Sequence, residues 1–422
     1  MHDFHYHNDA LFCEDVPLER LAKEQGTPCY IYSHATLTRH FQAFDQAFAA
    51  VPHLIAFAMK ANSNLAILRL MASLGSGADI VSGGELFRAL QAGVPPDKIV
   101  FAGVGKSPEE IAYALDSDIL LFNVESAAEL QTINDVARGK GLRARVALRV
   151  NPDIDPQTHP YITTGLKKSK FGIGADRALE EFTTAAALPN VEVIGVHAHI
   201  GSQLTQVSPF VDSLKRVVGL IETLKSRGIP IRYLNIGGGL GITYSDETPP
   251  LPTEYAEATM PLLKASQCEI IMEPGRVIAG NAGVMLTHVL YIKETGTKTF
   301  AIVDAAMNDL LRPSLYQAHH DILPVRQVPN ASEAVFDVVG PVCESGDFLA
   351  QGRTLPAVKG GDLLAVMSAG AYGFTMASNY NSRPRVPEIL VKGGEHFVIR
   401  DRETFDDLVR GERIPGFLEA KA

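Results

Sequence analysis

"KIVFAGVGKSPEEIAYALDSDILLFNV", Lys98 to Val124, is the stretch whose reading decides the fold. Two short apolar runs rich in β-branched residues, KIVFAG and ILLFNV, enclose SPEEIAYALDS, whose apolar residues recur at helical spacing. Ser107 and Pro108 read as the N-cap and first residue of that helix. Strand, helix and strand in so short a span make a βα repeat, the unit of a parallel sheet. The same stretch carries the GKS of a phosphate-binding P-loop, but the leading glycine that motif requires falls at Val100. ATP binding is therefore not supported.

The pattern extends in both directions. LIAFAM and ADIVS precede the stretch; RVALRV, VIGVHAHI, YLNIG and EIIMEP follow it. Eight strand–helix repeats over roughly 230 residues match an α/β fold of the (β/α)8 barrel type better than an open doubly wound sheet. After about residue 283 the pattern changes to strands with glycine turns, as in GVMLTHVLYIKE, KTFAIVDA, EILVKGG and EHFVIRD, which predicts a β-rich C-terminal domain, a sandwich or barrel. TPCYIYS, near residue 30, also reads as a strand although it precedes the barrel. The expected division is a segment 1–34 that lends a strand to the β domain, a barrel over 35–283, and the β domain over 284–422.

The bulk properties suit a globular enzyme. The chain has 422 residues, enough for two domains with separate cores, with 46% hydrophobic and 20% charged residues. Its net charge of −10 argues against nucleic acid or an anionic membrane as partner, since both call for concentrated positive charge. KKSK at 167–170 is the nearest approach to a basic block and reads as a solvated loop. No leader-like N-terminus and no long apolar run is present, so a cytoplasmic location is expected. Cys13, Cys29, Cys268 and Cys343 form no CxxC pair, which fits a reducing compartment and gives no zinc pattern.

Working residues of such a barrel sit where strands end, on its C-terminal face. The first strand ends in FAMKANSN, and burial there predicts a lowered pKa and a nucleophilic amine for Lys60. The sixth ends in VHAHIGSQ, with His197 and His199 on one face; a His-x-His pair can hold a metal, with Asp304 the nearest candidate for a further ligand. The seventh ends in NIGGGLG, where Gly237, Gly238, Gly239 and Gly241 let backbone N–H groups approach a phosphate. This run cannot be spaced as a dinucleotide fingerprint, so NAD is not supported. The eighth ends in MEPGR, offering Glu273 and Arg276. Lysine, histidine, a glycine loop and a glutamate at successive strand ends have one economical joint reading, pyridoxal 5'-phosphate: an amine for the aldehyde, glycines for the phosphate, and a carboxylate beside the pyridine nitrogen. No metal is assigned.

FAMKANSN, HIGSQ, NIGGGLG, EPGR, CESGD, AGAYG and YNSRPR stand in the order and at roughly the separations found in the fold-type III pyridoxal-phosphate decarboxylases. Over nearly the whole chain the sequence most closely resembles the bacterial diaminopimelate decarboxylases of that family, with their alanine-racemase-like barrel. The resemblance implies that Lys60 carries the cofactor, that His199 lies against its ring, and that Ser202, the glycine loop, Gly275, Arg276 and Tyr372 hold its phosphate. It implies a homodimer with shared active sites, in which Cys343 reaches the partner's site as proton donor. It also implies a substrate. Relatives acting on ornithine or arginine carry aspartate after that cysteine, where this chain has Glu344 and Ser345. Arg312 and Tyr316 in LLRPSLY, with Arg276 and Tyr372, suit a distal carboxylate, and Glu344 suits a distal ammonium. meso-Diaminopimelate has both groups, and L-lysine would be the product. A decarboxylase of carboxynorspermidine or another basic amino acid, or a homologue that binds the cofactor without turnover, is the alternative reading. His2, His5 and His7 match no role in the family pattern.

Overall fold

The computed structural model describes residues 2–154 and 170–418; residues 167–169 of KKSK lie outside the described residues. Eight strands, β1 (His53–Ala58), β2 (Gly77–Ile80), β3 (Ile99–Phe101), β4 (Leu121–Val124), β5 (Ala144–Asn151), β6 (Val191–His197), β7 (Tyr233–Asn235) and β8 (Glu269–Met272), form a parallel sheet. Each pairs with the next, and β8 pairs with β1, so the sheet closes on itself. Closure explains why strands such as β4 are buried on both faces and read as continuous apolar runs. Inward residues recur every second position. Ala56, Val100, Leu121, Ala147, Tyr233 and Ile271, from six different strands, meet in one buried cluster that fills the barrel.

Serine marks where several connections turn into helices. Ser82, Ser107 and Ser126 each accept a hydrogen bond from the backbone N–H of a glutamate three residues on, Glu85, Glu110 and Glu129. Such a cap contributes about 0.5–2 kcal/mol. The helix Pro108–Asp116 begins with a full capping box, and the other oxygen of Glu110 accepts from Gly83 N–H at 2.7 Å, linking two adjacent connections. The lysine of the incomplete P-loop is structural. Lys106 Nζ is buried and donates to Gly103 O (2.7 Å), Asn123 O (2.8 Å) and Glu129 Oε1 (2.6 Å), so its three protons are all engaged within the fold.

The second compact unit comprises Asp3–Ser33, Val284–Ala369 and the chain from Met376 onward. The strand Cys29–Ser33, buried throughout, lies in its sheet between Gly283–Glu294 and Glu388–Lys392 and runs parallel to the latter. Gly283–Glu294 is itself central, with several strand partners, so its first five residues are all buried instead of alternating. Within this unit Glu388 is fully buried and accepts from Tyr32 Oη at 2.7 Å and Arg400 Nε at 2.5 Å, which compensates its charge. The division is not strictly linear: Gly370–Thr375 group with His34–Gly283, whereas a cut at 283/284 places them on the β side. Among the described residues, no helix is long and apolar enough to cross a membrane.

Candidate active site

The chemistry of the barrel unit collects one residue layer above its apolar filling. Because inward positions repeat every second residue, Gly77, Leu121, Gly195 and Ile271 are succeeded by Asp79, Asn123, His197 and Glu273. Lys60 follows β1 and donates to Asp79 Oδ2. Asp79 is fully buried, while the Lys60 side chain is 40% exposed. Sequence reading predicts a lowered lysine pKa, and here the structure differs. Burial does pull the Lys60 ammonium down, but Asp79, with help from Tyr372 and Glu273, overcomes it and holds the amine above its ordinary value. Asp79 itself is pushed up by burial and by the nearby Glu273 charge, against the pull of Lys60.

Glu273, directly after β8, is 6% exposed. Its Oε1 accepts from Asn235 Nδ2 at 2.6 Å and from Asn123 Nδ2 at 3.1 Å, while Oε2 lies 3.6 Å from His197 Nε2. Burial alone would raise this carboxyl; His197, Lys60 and the Asn235 amide outweigh it and keep Glu273 well below the usual carboxylate range. The asparagines arrive by the same strand logic, each set inside an apolar run, in ILLFNV and YLNIG.

His199, beyond the end of β6, accepts from Gly238 N–H through Nδ1 at 3.3 Å, so in the neutral ring the proton sits on Nε2. Burial first, then the positive charge of Arg149 and Lys60, holds its pKa well below the ordinary value. The glycine loop is dictated by space. A Cβ at Gly237, where φ is +66°, would lie 2.7 Å from His199 Nδ1, and one at Gly238 would lie 2.2 Å from Glu273 O. Two of the loop's amides are already committed, Gly237 N–H to Asn235 Oδ1 at 2.9 Å and Gly238 N–H to His199. Gly239 packs equally closely against Gly201 O, and Gly275 against Ala58 and Ala61.

Arg276 opens the short helix Arg276–Ala279 and is buried. It donates to Tyr244 Oη at 2.5 Å and to Ser202 Oγ at 3.0 Å, and its guanidinium lies 4.8 Å from the centre of the Tyr372 ring. Tyr372 adopts φ +57° and is fixed by its N–H on Ala61 O at 2.8 Å. Lys60, His199, Ser202, Gly237 to Gly239, Glu273, Gly275, Arg276 and Tyr372 thus all belong to the barrel unit. Asp79, Asn123, Asn235 and Tyr244 join them without having been singled out from the sequence. A polar residue inside an apolar strand run was the available signal for the first three; Tyr244, in a connection, offered none.

The remaining candidates belong to the β unit. Arg312 is buried and donates to His320 Nε2 at 2.8 Å, and His320 Nδ1 donates to Met367 O at 2.8 Å, an arrangement that fixes the neutral imidazole tautomer. Tyr316 ends the same short helix, Arg312–Tyr316. Cys343 and Glu344 are exposed on the turn between strands Glu333–Val339 and Phe348–Pro356. That turn is built from below. Buried Asp347 accepts from Met307 N–H (2.7 Å) and Val342 N–H (2.8 Å), and Ser314 Oγ donates to Gly346 O (2.6 Å), joining the turn to the Arg312 helix. Cys343 N–H donates to Asn381 Oδ1 at 2.8 Å, and Asn381 and Ser382 both adopt positive φ.

The metal alternative finds no geometry. His197 faces Glu273, His199 binds the glycine loop, and Asp304 accepts from Thr27 Oγ1, Thr287 Oγ1 and His288 N–H in the β unit. His5 and His7 pack on Phe12 in an N-terminal hairpin. Among the described residues no group of three or more His, Cys, Asp or Glu could hold a metal ion.

Comparison with known proteins adds names to this arrangement. Residues 34–280 match the family model for the pyridoxal-dependent decarboxylase, pyridoxal binding domain. Diaminopimelate decarboxylase of Vibrio cholerae is 54% identical over 408 residues, covering 96% of this chain and 97% of the relative. The Helicobacter pylori diaminopimelate decarboxylase structure in complex with L-lysine superposes with a TM-score of 0.90 at 45% identity, covering 93% of this chain and 98% of that one. A diaminopimelate decarboxylase from M. jannaschii, in co-complex with L-lysine, superposes with a TM-score of 0.93 at 40% identity and covers 98% of each chain.

Proposed function

The chain belongs to the pyridoxal-dependent decarboxylases, in the diaminopimelate decarboxylase family, and on that premise we propose that it converts meso-2,6-diaminopimelate to L-lysine and CO2, the closing step of lysine formation. The observation that carries the reading is the Glu273 carboxylate, buried, ionised and held by two asparagine amides in the same layer as Lys60 and Asp79. The residues fit a phosphorylated pyridine aldehyde. An amine, a neutral imidazole, a close-packed glycine loop and a guanidinium backed by a serine hydroxyl are what aldehyde, ring and phosphate require. Pyridoxal phosphate, when bound, supplies an electron sink for the bond that breaks when CO2 leaves.

The protein's residues supply the rest. Lys60 would be the amine that takes the aldehyde, and the Asp79 carboxylate keeps that amine in place. Glu273 would supply negative charge to the pyridine nitrogen. His199, kept neutral, offers a flat face without a competing cation. With two glycine amides committed elsewhere, Ser202, Gly239, Gly275, Arg276 and Tyr372 would carry most of the phosphate contact. Arg312 and Tyr316 take the distal carboxylate and Glu344 the distal ammonium. Cys343 returns a proton to the carbon that has lost CO2. Its exposure on a clamped turn suits presentation to a second subunit, and we assign the working form as a homodimer with shared sites. Four free cysteines suit a cytoplasmic enzyme.

The test is direct. Purified protein incubated with pyridoxal phosphate and meso-diaminopimelate should release L-lysine and CO2 in equal amounts. Turnover of carboxynorspermidine or L-ornithine in its place overturns the substrate assignment, and tight cofactor binding without any CO2 overturns the enzymatic one.

A further inference from the structure

His197 is left unexplained by the roles above. It is 1% exposed at the inner end of β6, and neither ring nitrogen has a hydrogen-bond partner. A neutral imidazole so placed leaves its N–H unmatched at a cost of about 1–3 kcal/mol, and an apolar side chain would fill the space without that cost. Its nearest charged neighbour is Glu273 Oε2 at 3.6 Å, beyond hydrogen-bond reach but within that of an ion pair. The two carboxylate oxygens are therefore treated differently. Oε1 takes two amide donors, while Oε2 faces the imidazole.

The surrounding charges show what such a ring can do. Lys60 is matched by Asp79, Arg149 by Glu125 at 2.7 Å, and His199 is held neutral. Tyr372 and Glu85 are the other titratable groups whose fields reach Lys60 and Asp79. With those pairs closed, Glu273 has no other cation of its own. His197 Nε2, 3.6 Å from Glu273 Oε2, is the basic group placed against that carboxylate.

We propose that His197 is a positioning residue that acts through Glu273: its imidazolium holds the carboxylate ionised, so that the proton shared between Glu273 and the cofactor's pyridine nitrogen resides on the ring. This rests on the reading that Glu273 faces that nitrogen. The cation lies against the carboxylate, where it opposes protonation of Glu273, and an opposite charge within 4–6 Å shifts such a proton equilibrium by roughly ten- to a thousandfold. Electron withdrawal into the ring depends on that proton, so His197 sets catalytic rate without touching substrate.

The experiment uses holoenzyme reconstituted with 15N-labelled pyridoxal phosphate, whose nitrogen shift reports ring protonation independently of turnover. His197→Gln and His197→Asn, each checked for cofactor stoichiometry and thermal midpoint, should both move the resonance toward the unprotonated position. Both should lower kcat by roughly tenfold or more with KM changed little. In a Glu273→Gln background the His197 substitutions should add almost nothing, because the partner is gone. Two results overturn the proposal: a native nitrogen shift in both His197 variants, or an effect on kcat that is the same with and without the Glu273 carboxylate. A Glu273→Gln enzyme with native nitrogen shift and rate would instead overturn the underlying reading of Glu273, and this inference with it.

Discussion

The barrel and the β unit present their candidate residues in opposite ways. In the barrel, Asp79, His197 and Glu273 are buried at or just past strand ends, and Lys60, partly exposed, is held by Asp79, so that side chain holds side chain. On the β unit, Cys343 and Glu344 are exposed, and the structure spends its bonds on their backbone, through Asp347, Ser314 and Asn381. The contrast separates two kinds of preorganisation. A cofactor that stays in place is served by a rigid, desolvated layer, where charge is strong and its balance matters. The proposed proton donor, if offered to another subunit, needs its turn fixed and its side chain open.

The largest effect should come from the barrel side. Lys60→Ala removes the cofactor's covalent anchor, so the visible absorption band should vanish and turnover fall by roughly a thousandfold or more. An unchanged band in the variant would remove Lys60 from the site. Next comes a measurement that joins the two regions. Lys60→Ala and Cys343→Ala chains, each inactive alone, should regain about a quarter of native activity when dissociated and reassociated, since half the dimers are mixed and each mixed dimer has one intact site of two. A mixture that stays inactive, with subunit exchange demonstrated, confines Cys343 to its own chain. Arg312→Ala should be milder. Losing one charge-assisted pair, about 1.5–3 kcal/mol, lowers kcat/KM for diaminopimelate by roughly ten- to a hundredfold.

The smallest effect concerns stability of the β unit. Burial pushes Asp309 up to about 7, although Ala306 N–H and Arg383 pull it down. Because the folded pKa lies above the ordinary value of 3.8, the neutral form is the one folding favours. The contribution is complete below that ordinary value and lost as pH rises through about 7. The thermal midpoint of Asp309→Asn relative to native protein should therefore rise between pH 4 and pH 8. A difference independent of pH would mean that Asp309 is ionised in the fold.

The strands of the barrel could be read because each is a short apolar run between helical segments, and closure buries both faces. The strand ends could be read because a charge or a glycine triplet interrupts those runs at Lys60, Gly237 and Glu273. Asp79, Asn123 and Asn235 carry the same signal inside a run, where a single polar residue looks like noise until the register shows that it points inward. The charge state of Lys60 was illegible for a different reason: it depends on Asp79, which is distant in sequence and adjacent only across two strands. Cys343, Arg312 and Tyr372 are candidates through resemblance alone. Nothing local to LLRPSLY announces that Arg312 is buried against His320, or that Asp347 supports the turn before it.

The strand Cys29–Ser33 has its place between Gly283–Glu294 and Glu388–Lys392, and that placement sets a timetable for synthesis. Some 250 residues separate Ser33 from Gly283, so at about 5–20 residues per second the strand emerges roughly ten to fifty seconds before its first partner. Throughout that interval it is an apolar edge without a neighbour, while the barrel between them can close on its own strands. The second partner comes later still. A chain stopped before Glu388 would carry every barrel strand yet leave one edge of Cys29–Ser33 bare, so the solubility of such truncated forms is governed by the strand Glu388–Lys392.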